Sequence, residues 1–356
     1  MSKVSTEQVL AALGTVQDPD LHRDLVSLGM IESVTVEAGK VSFTLVLTTS
    51  ACPVKAEIEE SCRRAVSGIP GVTEVHLATT SRVRKPRDPS ADRRALPGVG
   101  HVIAVGSGKG GVGKSTVAAN LAIALAQTGS TVGLMDADIY GPNLPRMLGL
   151  NRQPLTRDGR IVPLEAHGIR FMSMGLLVEA GEAVVWRGPM LHGAIKSFLN
   201  DVDWEGCDYL IVDLPPGTGD VQLSLIQQTV VTGAVVVTTP STVAIEDAVK
   251  AIAMFKKLEV PVLGVIENMS WFSCPSCHER HDIFGHGTAE GRVLAMGMPF
   301  LGSIPLHADV RHGGDNGAPV VASLPESPYA RELRRIAGVL AQRISIQTLG
   351  NVETTA

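Results

Sequence analysis

From residue 101 onward, short runs of apolar residues alternate with stretches that have helical spacing. The apolar runs, which are candidate strands, cover residues 101–106, 131–136, 209–213, 234–239 and 262–267. Runs that are apolar at nearly every residue are typical of parallel strands buried on both faces. The pattern therefore predicts an α/β domain over residues 101–346, with a mostly parallel sheet that helices cover on both faces.

The first 83 residues have a different pattern of apolar positions. Residues 6–14 and 55–66 have helical spacing, whereas residues 41–47 and 74–78 suit strands. This mixture predicts a small α+β domain over residues 1–83.

Two further segments complete the predicted organisation. Residues 84–100 are rich in proline and charge and lack an apolar period, which predicts a linker. Leu333, Ile336, Ala337, Leu340 and Ile344 have helical spacing, so the closing helix is expected to pack on the second domain. Residues 347–356 are predicted to be a flexible tail.

Composition and charge restrict the classes of function. Of 356 residues, 44% are hydrophobic, and the formal net charge of -5 gives no electrostatic reason to expect a nucleic-acid partner. No apolar run approaches the roughly 20 residues that cross a bilayer, so we expect no membrane span. The N-terminus lacks an export signal, and five cysteines do not form a disulfide framework. These features predict a cytoplasmic protein with reduced thiols.

A glycine-rich loop follows the first strand of the predicted α/β domain and precedes a helix, so it has the context of a phosphate-binding P-loop. Glycines let backbone N–H groups converge on phosphate oxygens, and the helix N-terminus favours negative charge. Lys114 is predicted to neutralise the β- and γ-phosphates, and the Ser115 hydroxyl to bind Mg²⁺. The candidate nucleotide-binding residues are Gly108, Lys109, Gly110, Gly111, Val112, Gly113, Lys114, Ser115 and Thr116.

Acidic residues end two of the predicted strands, where an open α/β sheet places its ligands. Asp136 and Asp138 alternate on one side, and two like charges there need a metal, water or lysine to offset them. Asp213 ends the strand 209–213 as a Walker B aspartate, which holds Mg²⁺. Gly217 and Gly219 beside it suit a loop that responds to the γ-phosphate.

A cysteine pair, Cys274 and Cys277, is separated by two residues. Such a turn brings two thiolates onto one metal centre, but an iron–sulfur cluster usually has four cysteine ligands. A two-fold dimer supplies the other two, because each protomer contributes the same pair. Two alternatives stay open: a structural zinc completed by His278, His281 or His286, and a redox disulfide. The isolated Cys62 and Cys207 are expected to be structural.

The loop with its early lysine, Lys109, resembles the deviant Walker A loop of partition ATPases, the nitrogenase iron protein, arsenite-pump ATPases and cluster-carrier ATPases. The resemblance implies that Lys109 reaches across a homodimer interface to the partner's nucleotide and acts as an arginine finger does. It also implies that Asp138 orients or deprotonates the attacking water and that Asp136 supports the Mg²⁺ shell. Asn268 resembles the residue of that family that contacts the adenine edge.

Further motifs narrow the resemblance to the Mrp-type (ApbC-like) iron–sulfur cluster carrier ATPases. They are WRGPM at 186–190, DLPPGTGD at 213–220, and ENMS at 267–270 followed by the cysteine pair. The resemblance implies a 4Fe-4S cluster bridged between two protomers by Cys274 and Cys277. It also implies slow ATP hydrolysis coupled to delivery of the cluster to apo-proteins, with a cluster scaffold as a candidate source. His278 departs from the pattern, since a small residue such as glycine is usual there.

The first domain resembles the small MIP18-like iron–sulfur assembly domain that is often fused to these carriers. The matching stretches are DPD at 18–20, LVSLGMI at 25–31 and TTSACP at 48–53. Cys52 precedes a proline and a helix start, so we expect a lowered pKa. On that basis Cys52 is a candidate transfer thiol for iron or cluster, and a purely structural thiol is the alternative.

Three rival functions share parts of this pattern. A partition or placement ATPase has the same loop but does not need the cysteine pair. An ATP-driven electron donor like the nitrogenase iron protein normally places its two cysteines far apart in sequence. A nucleotide-binding scaffold with a structural zinc would show little turnover.

Overall fold

The computed structural model describes residues 4–83, 95–139, 141–177, 188–285 and 287–350. These residues form two compact units, one of residues 4–83 with 341–350 and one of the described residues from 95 to 340. Residues 341–346, which the sequence assigned to the ATPase domain, therefore belong to the first unit. Most of the predicted linker (84–94) and the end of the predicted tail (351–356) lie outside the described residues.

The first unit is the predicted small α+β domain. Its elements are α1 (Thr6–Leu13), β1 (Ile31–Glu37), β2 (Lys40–Leu47), α2 (Lys55–Ser67) and β3 (Glu74–Ser81). The sheet has the order β1-β2-β3, antiparallel between the first pair and parallel between the second. Strand β1 was not predicted, because Ser33 has a left-handed backbone (φ 54°) and the pairing register shifts there, which interrupts the alternation.

The second unit contains an eight-stranded sheet. Its strands in chain order are β4 (His101–Gly106), β5 (Val132–Asp136), β8 (Leu164–Ala166), β9 (Ile169–Ser173), β10 (Tyr209–Asp213), β11 (Gly233–Thr238), β12 (Val262–Glu267) and β15 (Phe300–Ser303). They lie in the order β15-β12-β11-β4-β10-β5-β9-β8, and only the β8–β9 pair is antiparallel. The predicted α/β class and its mostly parallel sheet are confirmed.

Two short hairpins and several helices complete the unit. The hairpins are β6 (Thr156–Arg157) with β7 (Arg160–Ile161), and β13 (Phe272–Ser273) with β14 (Arg280–His281). The helices are α3 (Lys114–Ala126), α4 (Leu144–Met147), α5 (Gly188–Asn200), α6 (Asp220–Gln228), α7 (Thr242–Lys257), α8 (Thr288–Ala295), α9 (Ala308–Asp315) and α10 (Val320–Ser323), besides a 3₁₀ turn at Met174–Leu176. The closing helix α11 (Pro328–Gly350) begins in this unit, and its residues from 341 onward belong to the first unit. No helix among the described residues has the length and hydropathy to cross a membrane.

The five strands predicted for the second unit differ from the observed ones by at most one residue at each end, since their apolar runs are almost entirely buried. In the first unit the predicted strand 74–78 continues to Ser81. Strands β8 and β9 were missed because the turn between them is His167-Gly168, with positive φ at both residues. Such a turn normally carries Asn-Gly or Asp-Gly, so this sequence hides the hairpin.

The sheet order places three strand ends side by side. Strand β10 lies between β4 and β5, and Asp213 is the register partner of both Val105 and Asp136. The loops that follow these three strands therefore meet at one edge of the sheet. The edge brings together motifs that are about 100 residues apart in sequence.

Candidate functional site

The loop after β4 has the backbone that phosphate binding requires. Gly111 and Gly113 both have φ of 81°, a left-handed conformation that only glycine adopts without strain. Helix α3 begins directly afterwards at Lys114, so its N-terminal N–H groups face the loop. The predicted strand–loop–helix arrangement is present.

Gly108 is held by packing rather than by its dihedral angles. A Cβ atom built on Gly108 would lie 2.0 Å from the carbonyl carbon of Asp247 in α7. The same atom on Gly110 would meet nothing nearer than Pro216 Cγ at 4.0 Å. The loop therefore contacts the backbone of α7 at Gly108, whereas there is open space beside Gly110, the next glycine.

These two glycines provide a matched pair of variants. We expect Gly108→Ala to lower the free energy of unfolding of the second unit by about 3 kcal/mol or more, because backbone must move. Gly110→Ala should cost less than about 1 kcal/mol, since the added methyl group has space. Urea unfolding followed by tryptophan fluorescence measures both, because Trp204 and Trp271 lie in this unit. Equal losses would contradict the packing argument.

Lys114, Ser115 and Asp213 form one hydrogen-bonded group. Lys114 Nζ donates to Asp213 Oδ1 at 2.7 Å and to Ser115 Oγ at 3.2 Å. Both charged side chains are buried, and Asp213 Oδ2 has no hydrogen-bond partner among the described residues. Burial raises the pKa of Asp213, and the ammonium of Lys114 opposes this shift. A buried carboxylate oxygen beside a serine hydroxyl fits Mg²⁺, which prefers oxygen ligands and keeps part of its water shell.

Asp136 lies next to Asp213 in the sheet and is 1% exposed. Ser173 at the end of β9 donates its hydroxyl to Asp136 Oδ2 at 2.9 Å, and the backbone N–H of Asp138 donates to Oδ1 at 3.1 Å. Burial and then the charge of Asp213 raise the pKa of Asp136 to about 8. Sequence reasoning missed Ser173 because its strand was not predicted.

Asp136 should make the stability of the metal-free chain depend on pH. Its folded pKa of about 8 exceeds its ordinary value of 3.8, so the folded state retains a proton that the unfolded chain releases. The associated stability is present below pH 3.8 and is lost as the pH rises through about 8. We expect the free energy of unfolding of the second unit to fall by about 2 kcal/mol or more between pH 5 and pH 8. Asp136→Asn should flatten this slope, and an unchanged slope would contradict the assignment.

The two residues implied in the hydrolysis step lie at the same edge. Asp138 follows β5 and is half-buried, and Lys109 lies in the P-loop and is also half-buried. The Ser107 hydroxyl donates to the carbonyl of Lys109 at 3.0 Å, which holds the backbone rather than the ammonium. The roles of both side chains stay predictions.

The loop after Asp213 is attached to the P-loop. The N–H of Gly217 donates to the carbonyl of Ser107 at 2.9 Å. Gln222 at the start of α6 donates its amide N–H groups to the carbonyls of Pro215 and Gly217 at 2.9 and 3.0 Å. Gln222 is buried and was not singled out from sequence, because its partners are backbone atoms of a loop.

A cavity of about 340 Å³ opens beside the P-loop. Gly113, Thr116, Asn268, Met269, Pro305 and Leu306 are among the residues that line it. Asn268 Nδ2 donates to the carbonyl of Val112 at 2.9 Å, so this amide supports the loop itself. Its predicted contact with the adenine edge is not tested by this arrangement, although Asn268 does lie in the wall of a cavity of suitable size.

The cysteine pair lies in the turn of the β13–β14 hairpin. Cys274 donates its N–H to the carbonyl of Glu279, and His278 donates its N–H to the carbonyl of Cys274. Cys277 is exposed and Cys274 is half-exposed. Backbone N–H groups of Cys277 and Ser276 lower the pKa of Cys274, which favours the thiolate that binds metal.

The structure accounts for the unusual His278. This residue has φ of 60°, the left-handed region where glycine is unstrained and histidine is tolerated.

Among the described residues, no group of three Cys, His, Asp or Glu side chains is placed to hold a metal ion. His286, one candidate zinc ligand, lies outside the described residues, as do Trp186 and Arg187. The pair thus presents two thiols without a third described ligand.

The expected low pKa of Cys52 is wrong. Cys52 is partly buried in the first unit, and desolvation raises its pKa, with Asp20 and Asp18 adding to the effect. The following helix α2 begins only at Lys55, too far to offset burial. Burial also raises the pKa of Cys62, to about 11, and the pKa of Cys207. Both of these thiols are buried, as expected for structural cysteines.

Comparison with known proteins adds to this geometry. Residues 98–341 match a family model described as the NUBPL iron-transfer P-loop NTPase, and residues 6–77 match one described as an iron–sulfur cluster assembly protein. An iron–sulfur cluster carrier protein of Deinococcus radiodurans is 53% identical over 97% of both chains. Another from Synechocystis is 48% identical over 97% of this chain and 99% of its own.

A solved structure with a similar fold was determined with a nucleotide bound. A nucleotide-binding protein of Archaeoglobus fulgidus, solved in complex with ADP, is 37% identical and covers 65% of this chain and 90% of its own, with a TM-score of 0.56. The similarity therefore covers about two thirds of this chain and shows a shared fold.

Proposed function

Because the chain belongs to the family of iron–sulfur cluster carrier proteins with a P-loop NTPase domain, we propose that it delivers a labile 4Fe-4S cluster to apo-proteins. In this proposal two copies of the chain form a homodimer, and Cys274 and Cys277 of each copy bind the cluster together. ATP binding and hydrolysis at the P-loop drive the cycle of holding and release.

The arrangement of the cysteine pair is the observation that carries the proposal. Two thiols lie in one hairpin turn, one exposed and one half-exposed, and the described residues supply no third ligand. A 4Fe-4S cluster with four cysteine ligands therefore needs a second pair, which a two-fold symmetric dimer provides. An exposed site also suits a cargo that must leave again.

The nucleotide half of the proposal rests on the P-loop and its acidic neighbours. Residues 108–116 would surround the phosphates, with Lys114 neutralising their charge. Ser115 and Asp213 would hold Mg²⁺, and Asp136 would support its water shell from its position beside Asp213 in the sheet. Mg²⁺ would neutralise charge on the phosphates as it does in other P-loop proteins. Asp138 would position the attacking water, and Lys109 of each protomer would reach the partner's nucleotide.

The small domain has a supporting part in the proposal. Cys52 would accept or hand on iron or cluster, although its raised pKa means that it reacts as a thiolate only after losing its burial. Cys52→Ser should therefore slow transfer to an apo-protein while leaving the cluster bound to the carrier unchanged. Transfer at the unmodified rate would remove Cys52 from the mechanism.

Anaerobic reconstitution tests the proposed function. The full chain, loaded with iron and sulfide and then desalted, should hold about four iron and four sulfide per two chains, with visible absorption. It should elute as a dimer and transfer the cluster to an apo-ferredoxin. Tightly held zinc at one per chain with no bound sulfide would indicate a zinc-stabilised scaffold instead. Nucleotide turnover with neither metal would indicate a placement ATPase.

A further inference from the structure

The wall of the cavity beside the P-loop and the base of the cysteine hairpin are made from the same two segments. One segment runs from Asn268 to Phe272, and the other is Ile304 with Pro305 and Leu306. Met269, Pro305 and Leu306 line the cavity, and Cys274 follows only two residues after Phe272. A group that binds in the cavity therefore contacts residues that adjoin the hairpin.

Three backbone hydrogen bonds join the two segments, and this set of bonds is called the ladder below. The N–H of Ile304 donates to the backbone carbonyl of Glu267 at 2.8 Å, and the N–H of Ser270 donates to the carbonyl of Ile304 at 2.9 Å. The N–H of Leu306 donates to the carbonyl of Trp271 at 2.7 Å. Phe272 forms a parallel bridge with Leu306, and it also pairs with His281 across the hairpin. Movement of Leu306 must therefore move the first strand of the cysteine hairpin.

Met269 connects this ladder to the P-loop. Its backbone φ is 57°, a left-handed conformation that is strained for methionine. The neighbouring Asn268 bonds the carbonyl of Val112, and Met269 Cε lies 3.5 Å from where a Cβ on Gly113 would be. Strained residues persist where the surroundings hold them, which here means the P-loop on one side and the ladder on the other.

From these contacts we infer that Met269 and Leu306 are positioning residues that couple occupation of the cavity by the nucleotide's base and sugar to the position of the cysteine pair. The inference rests on the proposed function, since that places the nucleotide at the P-loop and the cargo at the hairpin. A nucleotide packed against Met269 and Leu306 fixes the two segments, and the hairpin built on them becomes less mobile. These contacts do not include the loops that respond to the γ-phosphate. ADP, which lacks that phosphate, is therefore sufficient to produce the coupling.

Alkylation of the cysteine pair measures this coupling without any cluster. The full-length apo chain is treated with iodoacetamide, with and without saturating Mg·ADP, and modification of Cys274 and Cys277 is followed by peptide mass spectrometry. ADP should slow alkylation of the pair by about fivefold or more, the lower end of the coupling usual between two sites. Calorimetry establishes saturation for each variant.

Three variants separate coupling from simple binding. Met269→Gly keeps the left-handed backbone without strain but removes the side chain, and Leu306→Ala shortens the other wall residue. Each should reduce the ADP effect to less than about twofold at saturation. Val310→Ala is the matched control, because Val310 lines the same cavity from α9 but takes no part in the hydrogen bonds of the ladder. It should weaken ADP binding yet retain the full effect at saturation.

The outcomes decide between the two hypotheses. No protection of the unmodified chain by bound ADP, or full protection in both Met269→Gly and Leu306→Ala, overturns the coupling and leaves the carrier function intact. Failure to hold iron and sulfide on reconstitution overturns the carrier function while the alkylation result stands. If ADP does not bind at all, the coupling and the nucleotide half of the proposed function are both overturned.

Discussion

Replacing Cys274 and Cys277 together by alanine should reduce the iron and sulfide bound after anaerobic reconstitution to less than about one tenth of the unmodified level. The physical reason is the small number of ligands: each chain offers one pair, so the double variant leaves a dimer with no thiolate at the shared centre. The loss should appear in chemical iron and sulfide analysis and in the visible absorption. ATP binding should be retained, because the hairpin turn is exposed and does not line the P-loop.

The control for this variant is Ser276→Ala, which changes the same turn but keeps both thiols. It should bind the cluster at the unmodified level, since Ser276 is exposed and its backbone N–H is unaltered. Cys62→Ala should also retain binding if it folds, because that thiol is buried in the first unit. Retention of iron and sulfide by the Cys274→Ala/Cys277→Ala variant would contradict the proposed cluster site.

Lys109→Ala should lower the rate of ATP hydrolysis by about a hundredfold or more, as expected for loss of a residue that acts as an arginine finger does. Folding should be unaffected, since Lys109 is half-exposed and only its backbone carbonyl has a bond that the structure describes. Lys114→Ala is a less informative variant. It would leave Asp213 buried without its cation, and the destabilisation would obscure the effect on catalysis.

Mixing two inactive variants distinguishes action across the dimer from action within one chain. In a heterodimer of Lys109→Ala and Asp138→Asn, one site combines an intact Asp138 with the partner's intact Lys109. A one-to-one mixture should therefore recover about one quarter of the unmodified activity, since half the dimers are mixed and each has one complete site. If Lys109 acts within its own chain, the mixture stays inactive. Lys196→Ala, a surface lysine on α5, should retain full activity.

The candidate site shows which parts of a function are readable from sequence. The P-loop, Asp136 and Asp213 were recognised because each is a local signal, a glycine pattern or an acid at the end of an apolar run. Ser173 was not recognised because its partner, Asp136, is 37 residues away, and Gln222 was not recognised because its partners are backbone carbonyls of a loop. Nothing in the local sequence marks a serine that bonds Asp136 or a glutamine that bonds the loop after Asp213.

Cys52 is a residue that was singled out from sequence but whose pKa was predicted wrongly. Its local sequence, a cysteine before a proline and a helix, suggested an activated thiol. The pKa of a thiol depends on burial as much as on neighbouring residues, and burial is a property of the packed unit. The sequence therefore identified the residue but predicted the wrong direction of its pKa shift.

The sequence by itself determined the alternation of strands and helices in the α/β domain and the presence of a small α+β domain before it, and it predicted the chemistry of the phosphate loop and the cysteine pair. These are local properties, carried by apolar runs and short motifs. Only the tertiary structure decided that β10 lies between β4 and β5, so that Asp213 faces Asp136 and Lys114. Only the tertiary structure, too, pairs Leu306 with Phe272 at the base of the cysteine hairpin. Strand order and backbone pairing arise from packing between segments that are distant along the chain, so local sequence does not reveal them.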